Sequence, residues 1–208
     1  MTEHGRIRVI GLTGGIATGK STVARFLEEQ GAVVIDADAL SREAVRPGGA
    51  VLERIAALFG QEILLPDGCL DRKRLGRLVF ADPAKRRKLE EITHPAIRRL
   101  ADAYISRLAA EGHRLVFYMA PLLIESGAVD RVDEVWVVTV RPEIQLERLM
   151  KRNAIEREEA GHIIASQMPL AEKERYGRIV IDNSGTPEET RRIVARIWAR
   201  EREIGNNR

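Results

Sequence analysis

Gly14-Gly15-Ile16-Ala17-Thr18-Gly19-Lys20-Ser21 fits the spacing G-x-x-x-x-G-K-S/T, and the residues on either side decide how it folds. Before it, Ile7 to Leu12 is a short β-type apolar run; after it, Lys20 to Gln30 follows a helical pattern. A loop between strand and helix turns its backbone N–H groups inward around a phosphate, and the helix that opens near Lys20 adds the favourable field of its N-terminus. Lys20 brings positive charge to the β- and γ-phosphates, and Ser21 offers a hydroxyl to Mg²⁺. The alternative is a glycine-rich turn that matches by chance, and the flanking strand and helix argue against it. Gly14, Gly15, Ile16, Ala17, Thr18, Gly19, Lys20, Ser21 and Thr22 are therefore the candidate ATP-binding residues. Phosphate binding alone does not choose among kinases, GTPases and motor-like ATPases.

Working outward, further short apolar runs recur at Ala32–Ile35, Leu115–Met119, Val135–Val140 and Arg178–Ile181, each bounded by turn residues. Runs of this length read as buried parallel strands. Helical stretches separate them, which predicts an α/β fold: a five-stranded parallel sheet with helices on both faces. Thr186, Pro187 and Glu189 predict a capped start for the last helix, whose Ile193, Val194, Ile197 and Trp198 should face the sheet. Leu40 to Ala110 is too long for one crossover and reads as several helices, with Asp82-Pro83 opening one of them. Arg141 to Tyr176 is also long; Pro142 opens one helix and Pro169 interrupts a later one. Insertions at these two places would flank the C-terminal edge of the sheet, where open α/β sheets bind ligands. The expected organisation is one domain over 1–208, with a nucleotide-binding core (about 1–40, 112–142 and 177–208), a helical substrate-binding region (about 41–111) and a helical lid (about 143–176).

Composition excludes several classes. The chain has 208 residues, 44% apolar, enough for one α/β core plus a helical insertion. Lys and Arg total 34 against 31 Asp and Glu, a balance too even to argue for nucleic acid. Cys69 is the only cysteine, so no intrachain disulfide forms, as suits a reducing compartment. Four His and one Cys make no spaced zinc set. Met1 to Arg6 lacks the pattern of a signal peptide, and no run of about 18 apolar residues exists. A cytoplasmic location without membrane or nucleic-acid partners is expected, as a monomer or weak homo-oligomer.

The chain has no N-K-x-D segment of the kind that reads guanine, and Asp133-Glu134 precedes its strand rather than ending it, which is the wrong place for an ATPase base. Both absences favour a small-molecule kinase. Such an enzyme needs a carboxylate to orient a hydroxyl and take its proton. Ile35-Asp36-Ala37-Asp38 offers two at the end of a strand, and alternation puts them on one side if the strand stays extended. One would be the base and the other a metal-water or structural partner. Alternatively, Asp38 merely caps a helix beginning at Ala39.

With Leu12-Thr13-Gly14-Gly15, the phosphate loop and Ile35–Asp38 in hand, the sequence resembles the dephospho-CoA kinases. The likeness runs through nearly the whole chain: Phe59-Gly60, Ile63-Leu64, Gly68 to Arg72, Leu75, Val79-Phe80, Ile92 to Pro95, Pro121 to Glu125, Gln145, Arg148, Arg152, Gln167 and Ile181 to Asn183. The resemblance implies transfer of the γ-phosphoryl of ATP to the ribose 3′-hydroxyl of dephospho-CoA, with Mg²⁺, in the last step of coenzyme A synthesis. It implies Asp38 as the catalytic carboxylate, Lys20 and Arg148 as catalytic cations, and Arg148, Arg152 and Asn183 on ATP. It implies Thr13, Asp38, Phe80, His94, Pro121, Leu122 and Glu125 on dephospho-CoA. For the metal it implies Ser21, with Asp36 as a further candidate. The alternative for the arginines is an ordinary solvated helix face, and for Phe80 and Leu122 core packing is the default. Pro95 is expected to hold His94 extended.

Three positions depart from the family. Ala17-Thr18 stands where Gly-Ser is more frequent, and the Ala17 methyl would crowd the phosphate if a positive φ is needed there. Asn153 follows Arg152 where Asp is common, and Met119 stands where Asp often precedes the Pro-Leu-Leu turn. Two other readings stay open. A kinase of another small molecule, such as a nucleoside monophosphate or sugar acid, would share the loop. A nucleotide-dependent RNA-binding module would use Asp71 to Arg99, with ten Lys and Arg against four Asp and Glu. That stretch has Phe80 as its single aromatic, which leaves few stacking platforms.

Overall fold

The computed structural model describes residues 7–80 and 82–206, with side chains described to residue 202. Five strands, β1 (Arg8–Gly14), β2 (Val33–Asp36), β3 (Leu115–Met119), β4 (Glu134–Thr139) and β5 (Gly177–Asp182), form one sheet in the order β2-β3-β1-β4-β5. The β3–β1, β1–β4 and β4–β5 pairings are parallel, with Leu12 opposite both Met119 and Trp136. The expected five-stranded parallel α/β architecture is the one observed. Each strand differs from its predicted run by no more than two residues at either end.

The phosphate-loop strand is second from neither edge: β1 is central, buried along Val9–Gly14. Helix α1 (Lys20–Glu29) buries Val23, Ala24, Phe26 and Leu27, an i, i+3, i+4 stripe. It stops in a Schellman turn, where the N–H groups of Gly31 and Ala32 reach the carbonyls of Glu28 and Leu27. That stripe packs with Ile10, Leu12, Phe117, Trp136, Val138 and Ile181 of the sheet and with Val194 and Trp198 of the last helix, α9 (Pro187–Asn206). Phe117 meets the Trp136 ring edge-on at 4.9 Å. Each fully buried aliphatic or aromatic side chain here contributes about 1.5–3 kcal/mol. The predicted capping box closes α9: Thr186 N–H donates to Glu189 Oε2 at 2.7 Å, and Glu189 N–H to Thr186 Oγ1 at 3.2 Å.

The N-terminal edge of the sheet carries an ionic cluster rather than a ligand site. Arg8 of β1 and Arg178 of β5 both pair with Glu134 of β4. Both also reach Glu201 of α9, whose side chain is 4% exposed. Burial alone pushes the Glu134 carboxyl up, but hydrogen bonds from Arg178, Arg8 and Trp136, with the Arg8 charge, outweigh it and hold it below the ordinary range.

The chain divides into two compact units, one running to Ile35 and resuming at Ala109, the other spanning Asp36–Leu108. The second is helical: α2 (Ala37–Ala44), α3 (Ala50–Phe59), α4 (Arg72–Phe80) and most of α5 (Pro83–Ala110). Its core gathers Val45, Ile55, Ile63, Leu75 and Ile92, with Phe59, Leu64, Leu70 and Val79 packed against them. Much of the likeness quoted between Phe59 and Ile92 is thus the interior of this unit. Asp82 caps α5 as expected, accepting from the N–H groups of Ala84 and Lys85 at 2.9 and 3.2 Å.

Two local expectations fail in this unit. Pro95 does not hold His94 extended, because both lie inside the 28-residue helix α5. A mid-helix proline costs about 3 kcal/mol; Ile92, Ala96, Ala101 and Leu108 bury a stripe on either side of it that carries the helix through. The extended Asp36–Asp38 segment is also absent. β2 ends at Asp36 and α2 starts at Ala37, so strand alternation no longer relates the two carboxylates. Asp36, not Asp38, is the cap: its Oδ1 accepts from Asp38 N–H at 2.8 Å.

Among the described residues, no helix is long and apolar enough to cross a membrane.

Candidate active site

The loop between β1 and α1 is shaped by its own residues first. Gly14 has φ +156°, and a Cβ there would stand 2.5 Å from the Val138 carbonyl oxygen and 2.8 Å from Thr18 Oγ1. Gly19 has φ +84°, and a Cβ there would collide with the Asn183 amide nitrogen. Only glycine meets both demands. Thr18 is fully buried, and its hydroxyl donates back to the Gly15 carbonyl at 2.9 Å. Ala17 adopts φ +59°, so the positive φ considered from the sequence is real and falls on a residue with a Cβ. Lys20 opens α1, Ser21 is exposed beside it, and Thr22 N–H donates to the Gly19 carbonyl at 2.9 Å.

Side chains from far along the chain then brace this loop. Asn183, at the end of β5, donates from Nδ2 to the Thr18 carbonyl at 2.7 Å and accepts from Thr190 Oγ1 at 2.7 Å. Two glutamines hold Ile16. Gln145 Nε2 donates to its carbonyl at 2.8 Å, and its N–H donates to Gln167 Oε1 at 2.8 Å. Gln145 sits on α6 (Pro142–Asn153); Gln167 lies between α7 (Arg157–Ala165) and α8 (Leu170–Glu174). Arg148, one turn beyond Gln145, brings its guanidinium within 3.8 Å of the point where a Gly19 Cβ would stand. Arg152 is exposed, and its Nε donates to Asn153 Oδ1 at 2.9 Å. The neutral amide at 153 therefore still orients this arginine.

The loop after β3 is tied to the same segment. Lys173 of α8 is fully buried; its ammonium lies 2.7 Å from Glu125 Oε1 and donates to the Pro121 carbonyl at 3.0 Å. That carbonyl also accepts from Thr13 Oγ1 at 3.3 Å, and Glu125 Oε1 accepts from Met168 N–H at 3.3 Å. The next residue, Glu174, accepts from Thr139 Oγ1 at the end of β4. Thr13 and Glu125 thus spend polar atoms inside the protein. Leu122 stands 49% exposed on the loop. In the helical unit Phe80 is 90% exposed, and His94 and Asp38 are exposed. Phe80 is therefore not core. Asp36 also faces Arg42 at 3.7 Å.

Lys173, Thr190 and Thr139 carried no signal in the sequence. A lysine between Glu172 and Glu174 reads as a solvated face, and burial reverses that reading. Gln145 and Gln167 stood out only through the resemblance.

A central parallel strand, a glycine-built phosphate loop capping a helix and an arginine beside that loop define a P-loop nucleotide-binding protein of the kinase type. Residues 8–189 match the model of the dephospho-CoA kinase family. The dephospho-CoA kinase of Geobacter sulfurreducens is 57% identical over 93% of this chain and 98% of its own length. Among solved structures, TT1252 from Thermus thermophilus superposes with a TM-score of 0.82 at 37% identity, covering 94% of this chain and 98% of its own. Dephospho-CoA kinase from Campylobacter jejuni gives 0.71 at 28%, covering 96% and 98%. The chain belongs to the dephospho-CoA kinase family.

Proposed function

We propose that this protein phosphorylates the ribose 3′-hydroxyl of dephospho-CoA with ATP, giving CoA and ADP. The observation that carries the reading is the braced phosphate loop with Arg148 beside it, in a chain that matches this family from residue 8 to residue 189. In the reaction, the 3′-oxygen forms a bond to the γ-phosphorus and the bond from that phosphorus to the β–γ bridging oxygen breaks. The hydroxyl proton goes to the Asp38 carboxylate. Lys20 and Arg148 offset the charge spread over the transferring phosphoryl oxygens, a task suited to groups fixed before the reaction begins. Arg152 adds a second guanidinium on the same helix, and 143–176 serves as the lid that keeps water from the phosphoryl group.

The donor set suits Mg²⁺. Among the described residues no three His, Cys, Asp or Glu side chains gather into a metal cage. Mg²⁺ accepts such a site, since it keeps waters and binds through phosphates and one or two protein oxygens. The Ser21 hydroxyl is the protein oxygen that would hold it. Asp36 is less free, because its carboxylate already serves the α2 start and Arg42. Met119 offers only a thioether, a poor ligand for a hard cation. When bound, the ion would neutralise charge on the β- and γ-phosphates.

Phe80 and Leu122 are proposed to contact the apolar parts of dephospho-CoA, and exposed His94 its polar parts. The test is ADP release with Mg-ATP and a panel of acceptors: dephospho-CoA, nucleoside monophosphates, shikimate and gluconate, with product mass read alongside. Stimulation by dephospho-CoA alone, with one added phosphate, is expected. Another preferred acceptor would overturn the substrate and keep the kinase.

A further inference from the structure

We propose that Gln145 and Gln167 are positioning residues that hold the phosphate loop in its ATP-receiving shape by gripping Ile16 from both sides; the inference rests on reading this loop as the ATP site. The Ile16 carbonyl accepts from Gln145 Nε2 and the Ile16 N–H donates to Gln167 Oε1, each at 2.8 Å. A carbonyl can only accept and an N–H can only donate, so these partners also fix which way each amide points. The next residue, Ala17, holds φ +59°, a conformation that a residue with a Cβ adopts only when its surroundings enforce it. The two glutamines grip the chain immediately before that strained residue.

The grips are themselves secured. Gln145 is 5% exposed, and its own N–H donates to the Arg141 carbonyl one residue outside α6. Met168, which follows Gln167, donates its N–H to Glu125, and Glu125 is held by buried Lys173. Amides suit the task because they are neutral. A carboxylate at either position would repel the incoming phosphates, and an ammonium would be drawn onto them. A loop already in shape before ATP arrives does not lose that ordering free energy from binding. The effect therefore falls on ATP affinity more than on the chemical step.

The experiment compares the full chain with Gln145→Met and Gln167→Met, which keep length and apolar stem and remove the amide. Thermal midpoint, ATP Kd on the folded fraction, kcat, and KM for each substrate are measured. Each variant should bind ATP about tenfold more weakly, as expected for loss of one buried hydrogen bond. Turnover at saturating ATP and KM for the acceptor should change less than about threefold. The double variant should lose less than the product of the two, since both act on one residue. Folded variants with wild-type ATP Kd would overturn the proposal even if their midpoints fall. A second readout needs no variant: amide exchange at Ile16 in the nucleotide-free wild type should be slow. Exchange as fast as in an open loop overturns the clamp. If wild-type protein does not bind ATP at all, the ATP reading itself fails and takes the proposal with it.

Discussion

Asn183 Nδ2 lies 2.7 Å from the carbonyl oxygen of Thr18, joining the end of β5 to the middle of the phosphate loop across 165 residues of sequence. Its Oδ1 accepts from Thr190, so the amide bridges α9 and the loop. Asn183→Ala should cost about 2 kcal/mol, because it leaves the Thr18 carbonyl and the Thr190 hydroxyl without this partner in a buried place. Asn183→Asp keeps the acceptor for Thr190 and turns a carboxylate oxygen toward the Thr18 carbonyl, beside the phosphates. It should weaken ATP binding more than alanine does. Calorimetric titration of both variants checks this, and equal ATP affinity in the two would contradict it.

Lys173 and Glu125 form a pair with unequal halves: the lysine side chain is 0% exposed and the glutamate 22%. Removing the glutamate strands a buried charge with the Pro121 carbonyl as its remaining partner among the described residues, whereas removing the lysine leaves a carboxylate that water can reach. Glu125→Ala should therefore cost about 3–5 kcal/mol and Lys173→Met about 1–2 kcal/mol. Urea denaturation of the two measures the order; the reverse order would show that water reaches Lys173.

Ala17 and Ala154 are the two non-glycine residues with positive φ among those described, at +59° and +53°. Ala154 is the left-handed cap of α6, a position that favours glycine. Relief of the Cβ strain outweighs the added freedom of the unfolded chain, so Ala154→Gly should stabilise by about 1 kcal/mol. Ala17→Gly should gain a similar amount and keep turnover, since its methyl has no part in the chemistry. A lower thermal midpoint for either glycine variant would sink the strain argument.

The contrast between what was legible and what was not follows from range. Central parallel strands are continuous apolar runs, so β1, β3 and β4 could be read almost to the residue. The phosphate loop is a local motif and was equally plain. Gln145, Gln167 and Asn183 reach the loop across 129, 151 and 165 residues, and no local pattern marks a side chain that seeks a distant backbone group. The two misread segments failed for related reasons. Pro95 argues locally for a break, but the stripe from Ile92 to Leu108 decides in favour of helix. At Asp36 two short-range options competed, and the cap two residues earlier won.

Glu134 sets the expected acid response of the sheet's N-terminal edge. Its folded pKa is lowered, so its contribution to stability is fully present above the unfolded glutamate value of about 4.3. That contribution is lost as pH falls through the lower folded value. Glu134→Gln should be less stable than wild type at neutral pH, and the gap should narrow as pH drops below about 4. Denaturation midpoints across that range test it; a constant gap would place the effect in packing and not in ionisation.

Asp36 and Asp38 sit two residues apart and are assigned different work, which makes them separable. Asp36 ends β2, caps α2 and faces Arg42. Asparagine caps a helix about as well as aspartate, so Asp36→Asn should fold normally and keep most of its turnover. Asp38 is exposed in the first turn of α2, and no hydrogen bond to its carboxylate is seen among the described residues. An amide there cannot accept the proton of the acceptor hydroxyl. Asp38→Asn should bind ATP as wild type does and lose about 10²–10⁴ in kcat, the usual worth of a positioned base. Single-turnover measurements on both variants decide the assignment. Near-normal turnover in Asp38→Asn removes it from the chemistry. A comparable loss in Asp36→Asn would instead move Asp36 from capping into the metal shell.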